Sequence, residues 1–458
     1  MAKNVLDKKK ISVGLDIGTT KICALVIEDA GEGAYNILSC AITENTGVNR
    51  GVIVNIEKTV ANIQKVIKEA EQQSGIEISK VVAGLAGDHI ESLSEVSTIT
   101  ISNQNQVVGQ SDVDRVIDEL RKSKISADRK IIHIVPYEYI VDGQDGIINP
   151  IGMYGVRLQA NVHIVSGMRT AVQNINRCVE ENAGLILKDI VLEPIASSIA
   201  LLTEDEQEVG VCLIDIGGGT TDITIFKDNV LRFTTVIGIG GNKVTDDIKS
   251  AFKTTAMEAE RIKCSYGHTF LPSLMRQKEL FIIRGVGGMQ PQEVSKEELC
   301  EVIQPRMEEL LEMCNEEVIK SGFANTLGAG IVITGGSALL QGTDELAARI
   351  FNAPVRIGYP SGEKYRGLSE IIESPKYSTA VGLALHSLFL DDLDNNKSTL
   401  QSSSSIDSVG VNNIENKKED KDEYDNQSII DSEIEEPITT KNKKESWINK
   451  TKDWLSKL

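Results

Sequence analysis

The chain has 458 residues, room for about three domains of ordinary size, and its 41% apolar and 25% charged side chains are the balance of a globular protein. No run of about 18 apolar residues occurs, which excludes a transmembrane helix, and the opening MAKNVLDKKK has no apolar signal core, so secretion is not expected. A formal charge of −19 leaves no footprint for nucleic acid, and seven cysteines without a CxxC pair read as reduced, buried thiols of a cytosolic protein.

Residues 11–17 and 21–28 are predicted strands joined by the tight turn Gly18-Thr19-Thr20. Ile56, Val60, Ile63, Ile67 and Ala70 recur at helical spacing, which predicts an amphipathic helix over 55–74 ended by Gly75. A short buried strand follows at 81–85. Ser111 is the expected N-cap of a helix whose apolar face is Val113, Val116, Ile117 and Leu120. Val156, Leu158, Ala160, Val162 and Ile164 alternate, as in a strand with one buried face. Residues 87–164 therefore read as a small inserted subdomain. The helical period resumes at Val172, Ile175 and Val179 and stops at Gly184.

About 200 residues after Gly14-Leu-Asp-Ile-Gly-Thr-Thr-Lys-Ile, the same logic returns in Leu213-Ile-Asp-Ile-Gly-Gly-Gly-Thr-Thr-Asp-Ile. Duplication of an α/β half accounts for this economically. It implies two lobes with a ligand cleft between them. The first lobe takes 1–86, 165–203 and 377–390; the second takes 204–246 and 325–376, with an inserted portion at 247–324. Residues 391–440 hold 14 acids against 4 bases and are rich in Ser and Asn, too polar to offset chain entropy, so a disordered linker is expected there. Residues 441–458 hold 6 bases against 2 acids.

The glycines of each Asp-Ile-Gly hairpin let the backbone approach a phosphate chain and present N–H donors to it. Gly18, Thr19, Thr20 and Lys21 supply one half of such a cradle, and Gly217, Gly218, Gly219, Thr220 and Thr221 the other. Asp16 and Asp215 end apolar strands, where a carboxylate calls for a cation; magnesium held through water meets that need. Either hairpin alone could be an ordinary Thr-rich turn, but one per half favours the phosphate reading. Ile331-Val-Ile-Thr-Gly-Gly-Ser-Ala-Leu-Leu is read as a strand feeding a helix, with Gly335, Gly336 and Ser337 at a backbone on which a flat ring could pack, or as a plain tight connection. Gly240 and Gly241 belong to a glycine cluster that lacks the full dinucleotide spacing. No Walker loop and no GxSxG occur, and the five histidines are scattered.

The segments at 14–21, 192–197, 213–223, 331–340 and 377–384 resemble, in order, the five nucleotide-cleft segments of the actin, heat-shock chaperone and MreB superfamily. Ala259-Glu260-x-Ile-Lys263-x-x-Tyr-Gly is similar to that superfamily's helix beside ribose and adenine. The resemblance covers residues 11–390. It implies a two-lobed actin-like α/β ATPase fold of duplicated RNase H-like domains, and ATP with Mg2+ as cofactors. It also implies Glu260 and Lys263 near the nucleoside and Glu193 as the group that orients an attacking water. Glu193 could equally be a helix N-terminal acid favoured by the macrodipole.

Within that superfamily the inserted subdomain, the helix segment Ile303-Gln-Pro-Arg-Met-Glu-Glu-Leu and a tether with an amphipathic end resemble the FtsA family of bacterial cell-division proteins. Gln304 stands where a glutamate is expected. This resemblance implies an ATP-binding adaptor that self-assembles into actin-like protofilaments, binds the FtsZ tail through Arg306, and helps recruit later division proteins at the septum. A PilM-type pilus-assembly protein and a sugar or acetate kinase of the same superfold are the rivals. A helix beginning at Trp447 gathers Trp447, Ile448, Trp454, Leu455 and Leu458 on one arc, with Lys450, Lys452 and Lys457 flanking it. These residues are expected to anchor the chain on the anionic, cytoplasmic surface of the membrane.

Overall fold

The computed structural model describes residues 10–121, 126–274, 279–285, 287 and 290–404. Strands β1 (Ile11–Ile17), β2 (Lys21–Gly31) and β3 (Ala34–Glu44) form an antiparallel meander, followed by helix α1 (Ile56–Ser74) and strand β4 (Lys80–Leu85). The ends of α1 follow from local chemistry. Asn55 caps it by accepting the Lys58 N–H, and Gly75, at φ 71°, takes the left-handed conformation that closes it. Its face of Thr59, Ile63, Val66, Ile67 and Ala70 is buried. Each large apolar side chain so covered contributes about 1.5–3 kcal/mol.

The inserted subdomain comprises β5 (Glu91–Thr100), α2 (Gln110–Arg121), β6 (Arg129–Val141), β7 (Gln144–Ile147) and β8 (Arg157–Met168). Its antiparallel sheet has the order β5-β8-β6-β7 and its own small core around Val116, Leu120, Leu158 and Val162. The cap of α2 differs from the expected Ser111. The helix starts a residue earlier, and the Asp112 carboxylate accepts the Gly109 N–H at 3.0 Å.

The chain returns through α3 (Arg169–Asn176), which loosens into a π-helical turn at Arg177–Asn182, then β9 (Ile186–Leu192) and α4 (Glu193–Leu201). The second lobe is β10 (Val211–Ile216), β11 (Thr221–Lys227), β12 (Val230–Ile237), α5 (Gly241–Phe252), α6 (Ala256–Tyr266), α7 (Lys296–Lys320), β13 (Ile331–Thr334), α8 (Thr343–Phe351) and β14 (Val355–Ile357). Last come β15 (Tyr365–Gly367) and α9 (Ser378–Ser404).

The duplication is visible in strand order. The first lobe's sheet runs β9-β4-β1-β2-β3 with β15 added at its edge, and the second runs β14-β13-β10-β11-β12. Each is an antiparallel meander whose first strand pairs in parallel with a later one. Two boundaries differ from those expected from the sequence. Tyr365–Gly367 pairs in parallel with Tyr35–Ile37, so the chain rejoins the first sheet before residue 377. Helix α9 runs on to Ser404, past the linker boundary drawn at 391. Composition suggests linker for this stretch, because its polar residues carry no helical apolar period.

Helix α9 lies against β1 and α4 with almost no clearance. A Cβ on Gly382 would stand 1.7 Å from the Ala196 carbonyl oxygen, and one on Gly14 would stand 2.4 Å from the Ala380 oxygen. The Ser12 hydroxyl donates to the Ala384 carbonyl at 2.6 Å. All seven cysteines are free; six are buried and Cys264 is exposed, against the expectation of uniform burial. Among the described residues no helix is long and apolar enough to cross a membrane. The remainder of the expected linker and the whole expected anchor, residues 441–458, lie outside the described residues.

Candidate functional site

A cleft with about 620 Å³ of space, counting its open mouth, lies between the lobes. Its walls are the two predicted hairpins. β1 turns into β2 through Gly18, Thr19 and Thr20, and β10 turns into β11 through Gly217, Gly218, Gly219 and Thr220. The ladders give matching registers, Asp16 opposite Cys23 and Asp215 opposite Asp222. By this correspondence Lys21 is the counterpart of Thr220.

The hairpin tips meet across the cleft. A Cβ on Gly219 would come within 2.6 Å of Thr19 Oγ1, and one on Gly218 within 2.4 Å of Thr20 Cγ2. A side chain at 218 or 219 would have to displace these threonines. The first tip is held from behind by Asn45, whose side chain donates to the Gly18 carbonyl at 2.8 Å, while Gly51 N–H donates to Thr19 Oγ1 at 3.2 Å.

Charge in the cleft is unbalanced. Lys21 Nζ contacts the Asp16 carboxylate. Burial opposes charge on Lys21, but the neighbouring Asp16 outweighs it and holds the ammonium above its ordinary pKa. Against this cation and Lys376, which also lines the cleft, stand four carboxylates. Burial, followed by repulsion from Asp16, Asp222 and Asp215, pushes Glu193 well above the usual glutamate range. Burial also raises Asp215, although the Ser197 hydroxyl donates to its Oδ2 at 2.8 Å. Asp222 is pushed well up by burial and by Asp215, and its buried Oδ1 has no hydrogen-bond partner. An orphaned carboxylate oxygen within such an excess of negative charge fits a hydrated divalent cation carried by a polyphosphate. Among the described residues, no three His, Cys, Asp or Glu side chains converge to hold a metal directly.

Most of the predicted residues line this cleft: Asp16, Gly18, Thr19, Thr20, Lys21, Glu193, Asp215, Gly217, Gly218, Gly219, Thr220, Gly335 and Gly336. The others stand behind it. Thr221 is buried, its hydroxyl donating to the Ile239 carbonyl at 2.8 Å. Gly241 N–H and Ser337 Oγ both donate to the Gly217 carbonyl, at 2.9 and 3.1 Å, and Asn242 N–H donates to the Gly218 carbonyl. The start of α5 is thus plugged by the second hairpin, and Gly240, Gly241 and Ser337 buttress that hairpin. Lys263 is buried, donating to the Gly241 carbonyl at 3.1 Å and Thr245 Oγ1 at 2.9 Å and pairing with Glu260 at 2.7 Å, so that these two residues staple α6 to α5.

After β13, Gly335 adopts φ 89°, where a Cβ would strike Asp215 Oδ1 at 2.4 Å. A Cβ on Gly336 would meet nothing within 4 Å. The segment that follows is a 3-10 turn, Gly336–Leu339, and the helix expected there begins only at Thr343. Sequence reasoning did not single out Gly51, Ala86, Asp222, Pro375, Lys376 or Thr379, which also line the cleft. Asp222 adjoins the second hairpin and Thr379 lies in the fifth cleft segment, so their positions were signalled. Ala86 and Gly51 carried no local mark.

On α7, Arg306 Nε donates to Asp247 Oδ2 of α5 at 2.6 Å, and its guanidinium also contacts Glu309. Gln304 accepts the Leu271 N–H at 2.7 Å and donates to Glu308 at 2.8 Å.

Comparison with known proteins gives a consistent result. The family model described as "Cell division protein FtsA" matches residues 212–382, and the model "SHS2 domain inserted in FTSA" matches residues 87–166, close to the expected insert. The chain is 43% identical over 379 residues to the cell division protein FtsA of Pseudomonas aeruginosa, spanning 83% of this chain and 89% of the relative. It is 39% identical over 382 residues to that of Escherichia coli K12, spanning 82% and 90%. Among solved structures, the PilM–PilN type IV pilus biogenesis complex superposes with a TM-score of 0.59 at 14% identity, covering 82% of this chain and 98% of the other. MreB5 of Spiroplasma citri bound to ADP gives 0.51 at 15% identity, covering 84% and 99%. The fold is therefore the actin-like ATPase fold.

Proposed function

The chain belongs to the FtsA family of cell division proteins, and we propose from this that it is the actin-like adaptor that tethers FtsZ filaments to the cytoplasmic face of the membrane at the septum. ATP enters the interlobe cleft with its phosphates between the two hairpins. Asp16 and Asp215 hold Mg2+ through water, where the ion supplies the positive charge that the carboxylates lack. Gly336 leaves room for the base, with Glu260 and Lys263 fixing the helices behind it. Glu193, at the cleft wall, orients a water toward the terminal phosphate. The observation that carries the nucleotide part is the meeting of Thr19 with Gly219 and Thr20 with Gly218 beside an excess of carboxylate.

Assembly of copies into actin-like protofilaments multiplies individually weak membrane contacts into firm attachment. Arg306 receives the acidic FtsZ tail, and Trp447, Ile448, Trp454, Leu455 and Leu458 with Lys450, Lys452 and Lys457 lie on the lipid surface. The adaptor helps recruit later division proteins. A kinase of the same superfold gains nothing from a basic amphipathic segment. The test is recruitment of purified FtsZ filaments to anionic vesicles. Recruitment that depends on this chain and responds to Mg-ATP is expected; filaments that stay off vesicles with and without ATP would overturn the adaptor reading.

A further inference from the structure

Strand β9 is the outer edge of the first lobe's sheet, and its last residue, Leu192, directly precedes Glu193. The inner edge of β9 pairs with β4, which leaves outward-facing backbone donors without a neighbouring strand. At Leu192 that donor is taken by the inserted subdomain. His133 of β6, only 3% exposed, accepts the Leu192 N–H on its Nε2 at 3.0 Å. The acceptor role requires Nε2 to be the unprotonated nitrogen of the ring.

This contact joins two bodies at a sensitive point. The subdomain has a sheet and a core of its own, but Ile132 and Val135 beside His133 pack into the first lobe's core, so His133 stands at the joint between the two, while Leu192 is the N-cap of α4 and fixes where Glu193 begins. Three residues upstream, Asp189 meets His386 Nε2 of α9 at 2.9 Å. The strand that delivers Glu193 to the cleft is held by both the insert and the last helix.

We propose that His133 is a positioning residue for Glu193, acting through the Leu192 amide, and that the inserted subdomain thereby sets the rate of nucleotide turnover. This rests on the reading of Glu193 as the water-orienting group. A displacement of about 1 Å at such a group can cost up to ~100-fold in rate, so one hydrogen bond at its root is sufficient leverage.

The test uses the full chain with Mg-ATP and compares wild type, His133→Phe, His133→Gln and Glu193→Gln. His133→Phe is expected to lower kcat about tenfold while ATP affinity by calorimetry stays within about twofold, because the hairpins are untouched. His133→Gln, whose amide oxygen can accept the same N–H, should recover most of the rate. Glu193→Gln should abolish turnover, and adding His133→Phe to it should change nothing further. If Glu193→Gln loses turnover but His133→Phe keeps it, the inference about His133 fails alone. It also fails alone if His133→Phe loses ATP affinity and rate together, or if His133→Gln gives no rescue. Wild-type turnover in Glu193→Gln, or no measurable turnover in the wild type, overturns the reading of Glu193 and the inference with it.

Discussion

The carboxylate of Glu193 lies against Gly84: a Cβ built on Gly84 would stand 2.8 Å from Glu193 Cγ and 2.9 Å from its Oε1. Gly84 is in β4, the strand beside β9, so the sheet itself makes the recess for the acid that follows β9. Gly84→Ala is expected to push the carboxylate off its place, reducing ATP turnover at saturating nucleotide by about tenfold or more. ATP affinity by isothermal titration should change little. Unaltered turnover in a folded Gly84→Ala protein would show that the recess does not matter to the chemistry.

The adjacent glycines Gly335 and Gly336 should behave oppositely. Gly336→Trp places an indole in open space of the cleft and should weaken ATP binding strongly with little effect on the melting temperature. Gly335→Ala meets Asp215 and Ile216 at 2.4 and 2.5 Å with φ at 89°, so it should cost on the order of 1–3 kcal/mol of stability. Calorimetric titration and thermal melts of both variants separate the two effects. Normal ATP affinity in Gly336→Trp would take this glycine out of the site.

Arg306 is held by Asp247 and Glu309, so an incoming acidic tail must share or displace those partners. Arg306→Glu should abolish most affinity for an FtsZ tail peptide, measured by fluorescence anisotropy, and leave ATP binding intact. Asp247→Asn removes one of these two acidic partners and should raise tail affinity. Equal tail affinity in wild type and Arg306→Glu would reduce Arg306 to a surface ion pair worth only about 0.2–0.5 kcal/mol.

The crowded carboxylates give a pH signature. Asp222 has its folded pKa raised above the ordinary value of 3.8, so the folded state retains a proton that the unfolded chain has already released. Its contribution to stability is complete below that ordinary value and falls as pH rises toward the folded pKa. Asp222→Asn removes the burden. Its gain in melting temperature over wild type, without nucleotide, should be small near pH 4 and grow as pH increases; a gain constant with pH would show that Asp222 is not burdened by its charge.

Much of this was legible in the sequence. The hairpins were, because turns that need glycine and hydroxyl donors advertise themselves locally, and Asn55 and Gly75 mark the ends of α1 for the same reason. The roles of Gly84 and His133 were not. Each is fixed by a neighbour far away in the chain, Gly84 by the space Glu193 needs and His133 by an amide at a sheet edge. Gly241 and Ser337 show the converse: their composition suggested ligand contact, but the second hairpin's Gly217 carbonyl had already claimed their donors.

Anchoring on lipid should depend on the last eighteen residues. In flotation with anionic vesicles the full chain should rise with the lipid, whereas a chain ending at Thr440 should stay at the bottom, having lost both tryptophans. Each lysine near such lipid is worth about 1 kcal/mol, so high salt should weaken the full chain's attachment. A truncated protein that floats as well as the full chain would remove the anchor from 441–458.

At the crossing of α9 over α4, glycine at 382 is the only residue that the Ala196 carbonyl admits. A slip of α9 by one position would drive the side chain of Val381 or Leu383 into that oxygen, so the helix is keyed in both rotation and translation, like a shaft with a pin through it. The direction in which α9 leaves α4 is therefore a fixed bearing on the first lobe, set by one missing side chain.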